Sequence, residues 1–382
     1  MDDVIIAGAG PAGALSAYLL ASRGARVTVV DRCRFPRPKL CGDTVNPGAL
    51  ALLDGHLPLR SLLAAGRPID GMLLTGPGGV RVHGRYGRQR QGLAIAREVF
   101  DAWLLEAAVR AGARFREATT VVGAVLADEG GVGGVEVRAG GRGETLRARM
   151  TIGAEGRRSL LARTLGGGRL ATRPRRWAVG QYFDEVEGLG AAGEMHVREG
   201  YYLGVSPAGD GRANACLVAP AGVPGGSWAD PARLLADRLA ADALLSTRFA
   251  RARANGPARV MGPLAVQASH PGGPGVLLAG DAVGFVDPMT GDGIHLALQT
   301  AEEAVRVIGL VLEGQVTPRD AHAAYARAVA RRLGRKRQFN RVLRGLVDSP
   351  RAVRAAAVAA RLCPPAFEAV IRYAGDARGA RP

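Results

Sequence analysis

Apolar residues at the start of the chain come in short unbroken runs. Residues 3–7 (DVIIA) form one and residues 25–30 (ARVTVV) another, with the apolar-periodic stretch ALSAYLLASRG between them, stopping at Gly24. Short apolar runs predict strands buried on both faces, and the periodic stretch predicts a helix, so the chain opens with a strand–helix–strand unit. A Pro/Gly-rich loop follows at 32–48, then a short helix (ALALL). Residues 68–95 alternate strands with Gly-rich turns, and Arg97–Ala111 reads as a helix. Strands are expected from Arg114 to Ile152, with a hairpin turn at Gly130–Gly134, and again over 174–219; residues 230–251 read as helical. A buried strand at 275–280 (GVLLAG) leads to a long helix from 292 to about 313. The remainder, from Pro318, is helical and punctuated by Pro350, Pro364 and Pro365. Parallel-sheet runs near the N-terminus, at 148–156 and at 275–281 predict one α/β domain assembled from separated segments, with an antiparallel sheet inserted between them.

Three turns carry candidate chemistry. Gly8-x-Gly10-x-x-Gly13 stands between the first strand and the first helix. In that context Gly8 permits the tight turn, Gly10 lets a pyrophosphate approach the backbone, and Gly13 lets helix and strand pack closely. The helix N-terminus, opened by Pro11 and Ala12, offers free N–H groups. Asp31, followed by Arg32, ends the second strand 18 residues after Gly13, where a carboxylate accepts from a ribose diol. Arg97 opens the helix Arg97-x-x-Phe100-Asp101-x-x-Leu104; a cation there opposes the helix dipole and makes sense facing a phosphate. Gly280 and Asp281 follow the strand GVLLA. The run Asp287-Pro288-Met289-Thr290-Gly291-Asp292-Gly293-Ile294 then opens the long helix, either aiming amides at a ligand or being an ordinary turn capped by Asp292.

Composition narrows the classes. The 382 residues include 47% hydrophobic and 22% charged residues, ordinary for a folded protein of about two domains. Cys33, Cys41, Cys216 and Cys363 form no CxxC pair, which fits a reducing, cytoplasmic setting. The acidic N-terminus runs straight into the first motif, which leaves no room for a signal peptide, and no 18-residue apolar span occurs. The net charge of +17 is spread along the chain, and 5% aromatics supply no stacking platform, so nucleic acid is not the expected partner. One basic cluster (Arg331, Arg332, Arg335, Lys336, Arg337, Arg341, Arg344) reads as a solvated helix face, with peripheral contact to anionic lipid as the alternative. Six histidines without HxxxH spacing give no metal site.

In this order and spacing the three motifs resemble the FAD-dependent oxidoreductases with the para-hydroxybenzoate hydroxylase type of fold. GAGPAG with Asp31 resembles their FAD fingerprint and Gly280-Asp281 their ribityl-binding motif. Ile152-Gly153-Ala154-Glu155-Gly156-x-x-Ser159 resembles a third, with Glu155 where the family usually has aspartate. Phe35-Pro36-Arg37-Pro38-Lys39-Leu40-Cys41-Gly42-Asp43 and Pro288-x-Thr290-Gly291-x-Gly293-Ile294 are similar to the geranylgeranyl reductase family within that group. The resemblance implies a discontinuous Rossmann-like FAD-binding domain (1–67, 92–173 and 272–313), a substrate domain (68–91 and 174–271), and a helical C-terminal region (314–382). It covers about residues 1–310. Where these reductases carry Tyr-x-Trp-x-Phe-Pro, this chain has Tyr202-Leu203-Gly204-Val205-Ser206-Pro207, so a wider, slightly more polar substrate pocket is expected around Tyr202, Gly204 and Ser206.

The implied function is FAD-dependent reduction of carbon–carbon double bonds in a hydrophobic, isoprenoid-type small molecule, the alternative being an FAD-dependent monooxygenase on a hydrophobic or aromatic metabolite. Reduction needs a proton donor beside the ring, and Cys41, mostly protonated at its ordinary pKa of about 8.5, is the candidate. Arg37 and Lys39 read as solvated loop charges, the alternative being that they steer an anionic head group such as a diphosphate; His295 reads as a helix-surface residue, the alternative being approach to the flavin or substrate. No second strand–GxGxxG–helix unit provides a separate NAD(P)H domain; the resemblance implies NAD(P)H as a visiting electron donor, the alternative being an outside donor that reduces the flavin. Trp103, Trp177 and Trp228 form no Trp-x-Trp signature, which argues against halogenation.

Overall fold

Strands buried on both faces must pair side by side, and here the pairing reaches across the whole chain. The computed structural model describes residues 1–375 apart from 88–89, 129, 168, 171–174, 210, 223–225, 286–287 and 348. Asp2–Ala7 pairs in parallel with Val27–Val30 on one side and with Arg142–Gly153 on the other. Arg114–Arg116 extends the sheet beyond Val27–Val30, and Val276–Leu278 lies parallel against Arg142–Gly153. Thr119–Leu126 and Val132–Ala139 form the expected hairpin and continue onto the outer half of Arg142–Gly153. Val4, Ile5, Ile6, Val29, Ile152 and Leu277 are almost wholly buried, as helices on the sheet faces require.

The register sets where the loops emerge. Ala7 stands beside both Val30 and Gly153, and Gly153 beside Leu278. Four strands therefore end level, and the Gly8–Gly13 turn, Asp31, Ala154-Glu155 and Gly280-Asp281 all leave the sheet at the same edge. Ligands of open parallel sheets bind beyond this carboxyl edge. The three segments predicted to make one parallel sheet do so.

The inserted sheet has seven strands in the order Arg253–Met261, Arg176–Asp184, Ala213–Pro220, Tyr201–Pro207, Ala192–Arg198, Gly71–Gly76 and Val80–Arg85. It is antiparallel except at one joint, where Ala192–Arg198 runs parallel to Gly71–Gly76. The residues before and after the helix Arg97–Arg110 thus contribute to one sheet. Helix Pro231–Ala241 stops well short of the expected residue 251. Asp242 ends it: its carboxylate accepts from the N–H groups of Leu244 and Leu245 and pairs with Arg198 at 2.7 Å, turning the chain toward the sheet.

Helix Ala321–Val347 adds Tyr325, Val329 and Leu333 to the core of the parallel-sheet unit, whereas Ala357, Ala360 and Ile371 of the last two helices pack on Val80 and Val82 of the inserted sheet. Lys336, expected in the solvated basic face, is buried. Its ammonium donates to the carbonyls of Tyr373 and Ala374 at 2.8 Å each and lies 3.5 Å from Asp292. Arg332 pairs with Glu302 and Glu303, while Arg331, Arg335 and Arg341 remain exposed. No helix among the described residues is long and apolar enough to cross a membrane.

The buried Tyr325 hydroxyl donates to the carbonyl of Leu278, tying the last long helix to the parallel sheet. Tyr325→Phe leaves that acceptor unsatisfied and is expected to cost about 1–2 kcal/mol, read as a lower urea midpoint; an unchanged midpoint would show that the hydroxyl contributes nothing.

Candidate functional site

The turn after the first strand is held by close backbone contacts. Gly8 has φ of +99°, and a Cβ there would lie 2.4 Å from the Ala154 carbonyl oxygen; a Cβ on Gly13 would lie 1.8 Å from the Gly8 oxygen. Only glycine fits either place. Gly10 differs, since a Cβ there would meet only the Arg37 guanidinium, at 3.5 Å. Its open side, with Gly8, Pro11, Ala12, Asp31 and Arg32, lines a cavity of about 340 Å³ that runs from the sheet edge to the inserted sheet. Pro11 at the first helical position presets the helix start without wasting a donor. Asp31 uses one carboxylate oxygen on the Ala9 N–H and the other on the Cys33 N–H, both at 2.9 Å, so it also braces the turn.

At the far end of the sheet, Gly280, Asp281, Pro288, Gly291, Gly293 and Ile294 line the same cavity; Asp287 lies outside the described residues. The ordinary-capping alternative does not hold. Asp292 makes no side-chain cap to helix Gly293–Leu312, because its carboxylate is turned toward Lys336 and Asn340. The helix start thus carries no side-chain cap from Asp292, and its first two residues, Gly293 and Ile294, line the cavity.

Arg97 has a partner within the protein, and the expected exposure of Arg37, Lys39 and His295 is corrected. Arg97 lines the cavity, yet its guanidinium forms a two-pronged pair with Asp101, 2.8 Å at each contact. This partner, one turn along the same helix, accounts for a cation in the first turn. Arg37 is not solvated: it lies 3.4 Å from Asp101, stacks over Phe35 and faces Gly10. Lys39 is also drawn inside, where burial pushes its pKa down while Asp281 opposes the shift. Burial pushes Asp281 up, against Lys39, Arg157 and Arg97. His295 is buried, within 3.1 Å of Gln299, and does not line the cavity. Glu155, in the place of the family's aspartate, accepts from the Leu160 N–H at 3.0 Å and from the Ser159 hydroxyl, bracing the next helix.

The roof comes from one face of the inserted sheet. Tyr202, Gly204 and Ser206 line the cavity, and so do Asn214, Cys216 and Val218 on the neighbouring strand, as alternation along a strand requires. Gly204 leaves room, since a Cβ there would touch only backbone oxygens, at 3.9 and 4.0 Å. Met72, Met195, Met261, Met289, Phe285 and Leu40 make most of the remaining wall apolar. The hydroxyl of Ser206 is already engaged, donating to the Gly42 carbonyl at 2.8 Å.

Cys41 lines the cavity between these halves and, like the other cysteines, is a free thiol. Burial pushes its pKa up, with the Arg97 guanidinium pulling the other way. Behind it sits Asp43, the last residue of the Phe35 to Asp43 motif, to which the sequence assigns no role. It is fully buried, with φ of 54°, a left-handed conformation that aspartate tolerates better than most residues. Its Oδ2 accepts from the Tyr182 hydroxyl and from the Asn214 amide at 2.7 Å. Burial pushes this carboxyl up to about 7, against the Tyr182 hydrogen bond, the Arg97 charge and Asn214. The alternation of 214 and 216 with 202–206 is a signal for the polar roof residues; nothing local marks Tyr182 or the burial of Asp43.

A parallel sheet ending in a glycine-cradled cleft, with two helix starts and the Asp31 carboxylate at its edge, defines a dinucleotide-binding flavoprotein. The open side of Gly10 and the uncapped helix start at Gly293 are cradles that a diphosphate and a flavin's polar edge fit. Residues 1–336 match the family described as "FAD binding domain". A digeranylgeranylglycerophospholipid reductase of Methanopyrus kandleri is 31% identical over 306 residues, 78% of this chain and 77% of that protein. A menaquinone reductase of Mycolicibacterium smegmatis is 30% identical over 387 residues, covering 93% and 88%. In fold, the chain superposes on a geranylgeranyl bacteriochlorophyll reductase-like protein of Thermoplasma acidophilum with a TM-score of 0.79 at 21% identity (98% and 99% covered), and on the flavin-dependent brominase Bmp2 with a TM-score of 0.85 at 20% identity (98% and 93% covered). The chain belongs to the FAD-binding oxidoreductases, in the geranylgeranyl reductase family.

Gly10 has a backbone any residue adopts, and a Cβ there meets only the Arg37 guanidinium, so Gly10→Val fills the cradle. Equilibrium titration is expected to show FAD binding weakened about 100-fold with the apoprotein's unfolding midpoint unchanged; unaltered affinity would remove Gly10 from the cofactor site.

Proposed function

We propose that this protein reduces carbon–carbon double bonds of a hydrophobic isoprenoid substrate, with NAD(P)H as the electron donor and Cys41 as the proton donor. The observation that carries the reading is a free thiol lining a largely apolar cavity that also takes in the glycine turn, with burial pushing the thiol's pKa up. FAD, once bound and reduced, supplies a hydride. The protein's part is to bind, orient and protonate. Gly8, Gly10, Pro11, Ala12, Asp31 and Arg32 would hold the adenosine diphosphate half; Gly280, Asp281, Pro288, Gly291, Gly293 and Ile294 would hold the flavin half.

The methionine-rich wall excludes water and adapts to a flexible apolar chain, as unbranched thioether side chains do. Gly204 widens the roof where the family has tryptophan, so the substrate region beside it is bulkier than a bare polyprenyl chain. Cys41 keeps its proton at neutral pH because burial disfavours the thiolate, and releases it to the alkene carbon adjacent to the one that accepts the hydride. Exposed Arg331, Arg335 and Arg341 supply a cationic face for peripheral contact with a membrane carrying such lipids. Oxygen insertion needs no protein acid at this place, which is why Cys41 favours reduction over the monooxygenase reading.

In anaerobic turnover with photoreduced, FAD-loaded protein and a geranylgeranyl lipid, mass spectrometry is expected to find two added hydrogens per reduced double bond. Cys41→Ala should lower that rate about 100-fold and leave flavin photoreduction untouched. Oxygenated product on admitting air, or full turnover by the variant, defeats this reading.

A further inference from the structure

The segment Cys41–Asp43 is attached to the inserted sheet by side chains from three strands. Ser206 donates to the Gly42 carbonyl at 2.8 Å, Asn214 donates to the Cys41 carbonyl at 2.7 Å, and Tyr182 donates to the Asp43 carboxyl. A neutral amide at position 43 could be clamped the same way, so the clamp alone gives no reason for a carboxyl. Asp43 does not line the cavity, but Cys41 does. Its Oδ1 is buried and has no partner at hydrogen-bond geometry, although the Arg97 N–H also acts on the carboxyl, which leaves one oxygen able to carry a proton. The Cys41 thiol is faced by the Asp43 backbone N–H and by the Arg97 guanidinium, and the carboxyl's charge acts on that thiol and on Cys216.

Resting on the reductase function, we propose that Asp43 is the proton store that recharges Cys41 between turnovers, a positioning residue that acts through the thiol and never on the substrate. One alkene carbon gains a hydride and the other gains the Cys41 proton, so the π bond is replaced by two C–H bonds. The thiolate then takes the Asp43 carboxyl proton, and the carboxylate recovers one from the hydrogen-bonded hydroxyl of half-buried Tyr182, which is reprotonated by water. The groups that face this exchange are Arg97 from its helix, Tyr182 from one strand and Cys216 with Asn214 from another; Arg212 lies over the Tyr182 ring. The Asp43 carboxyl, pushed up to about 7 by burial, is poised to give and regain a proton near neutral pH.

The coupling can be read on the FAD-loaded protein without turnover. The rate at which methyl methanethiosulfonate modifies Cys41 is followed by peptide mass spectrometry from about pH 5.5 to 9.5, with exposed Cys363 as internal reference. The wild type should bend near pH 7, where the carboxylate forms and holds the thiol protonated. Asp43→Asn should lose the bend and react several-fold faster above pH 8, about the effect of removing one nearby negative charge. Tyr182→Phe, which deletes a hydrogen bond favouring the charged carboxyl, should move the bend to higher pH. A purely structural role for Asp43 moves neither. An unchanged bend in a folded Asp43→Asn protein, or a Cys41 that never reacts while Cys363 does, overturns the proposal even if saturated product forms. A bend that follows both variants with no saturated product upholds the coupling and removes only the reductase reading.

Discussion

The parallel pairing of Asp2–Ala7 with Arg142–Gly153 is the constraint on which the rest of the molecule depends. It joins the first residues of the chain to a strand some 140 positions later, and its register sets Ala7 beside Gly153. With Val30 and Leu278 ending at the same level, four loops distant in sequence share one edge. The glycine contacts are a consequence of that shared edge. Gly8 must tolerate the Ala154 carbonyl because the two turns leave neighbouring strands at the same height. A cofactor cradle made of backbone amides needs such agreement, since main-chain groups cannot be re-aimed by changing a rotamer.

The inserted sheet solves a second problem, placing a reactive loop against that cradle. Residues 41–43 have little regular structure of their own, so their position comes from Ser206, Asn214 and Tyr182. The hydrogen bonds satisfy buried carbonyls and a buried carboxyl that would otherwise cost about 1–3 kcal/mol each. They also explain why Ser206, on the pocket wall, is less available to substrate than its place in the motif suggests. The phenylalanine to serine change in that motif exchanges apolar surface for a tether.

Charge is distributed with the same economy. A net charge of +17 could have implied a broad anionic partner, yet many of the cations nearest the centre are committed within the fold. Arg97 and Arg37 converge on Asp101, Lys39 faces Asp281, and Lys336 joins the final helix to the Asp292 turn. Because Asp292 is drawn to Lys336, its carboxylate does not cap the helix start above it. Here a contact from the C-terminal region shapes the cofactor cleft although residues 314–382 carry no recognisable motif.

The amino-acid sequence by itself determined the parallel core, the glycine turns, the family and the candidate thiol. These rest on local demands: unbroken apolar runs bury both strand faces, and positive φ or a contact under 3 Å admits only glycine. It did not determine the surroundings of the charged residues. Arg37 and Lys39 look like loop charges in sequence, His295 like a surface position and Lys336 like part of a solvated stripe, yet all four are drawn inside or against the cleft. Nor did it distinguish Asp43 from any aspartate following a glycine. Burial, and the partner that makes burial tolerable, come from strands and helices tens to hundreds of residues away. Only the tertiary structure could therefore decide which carboxyl stands behind the thiol and which helix start is left open.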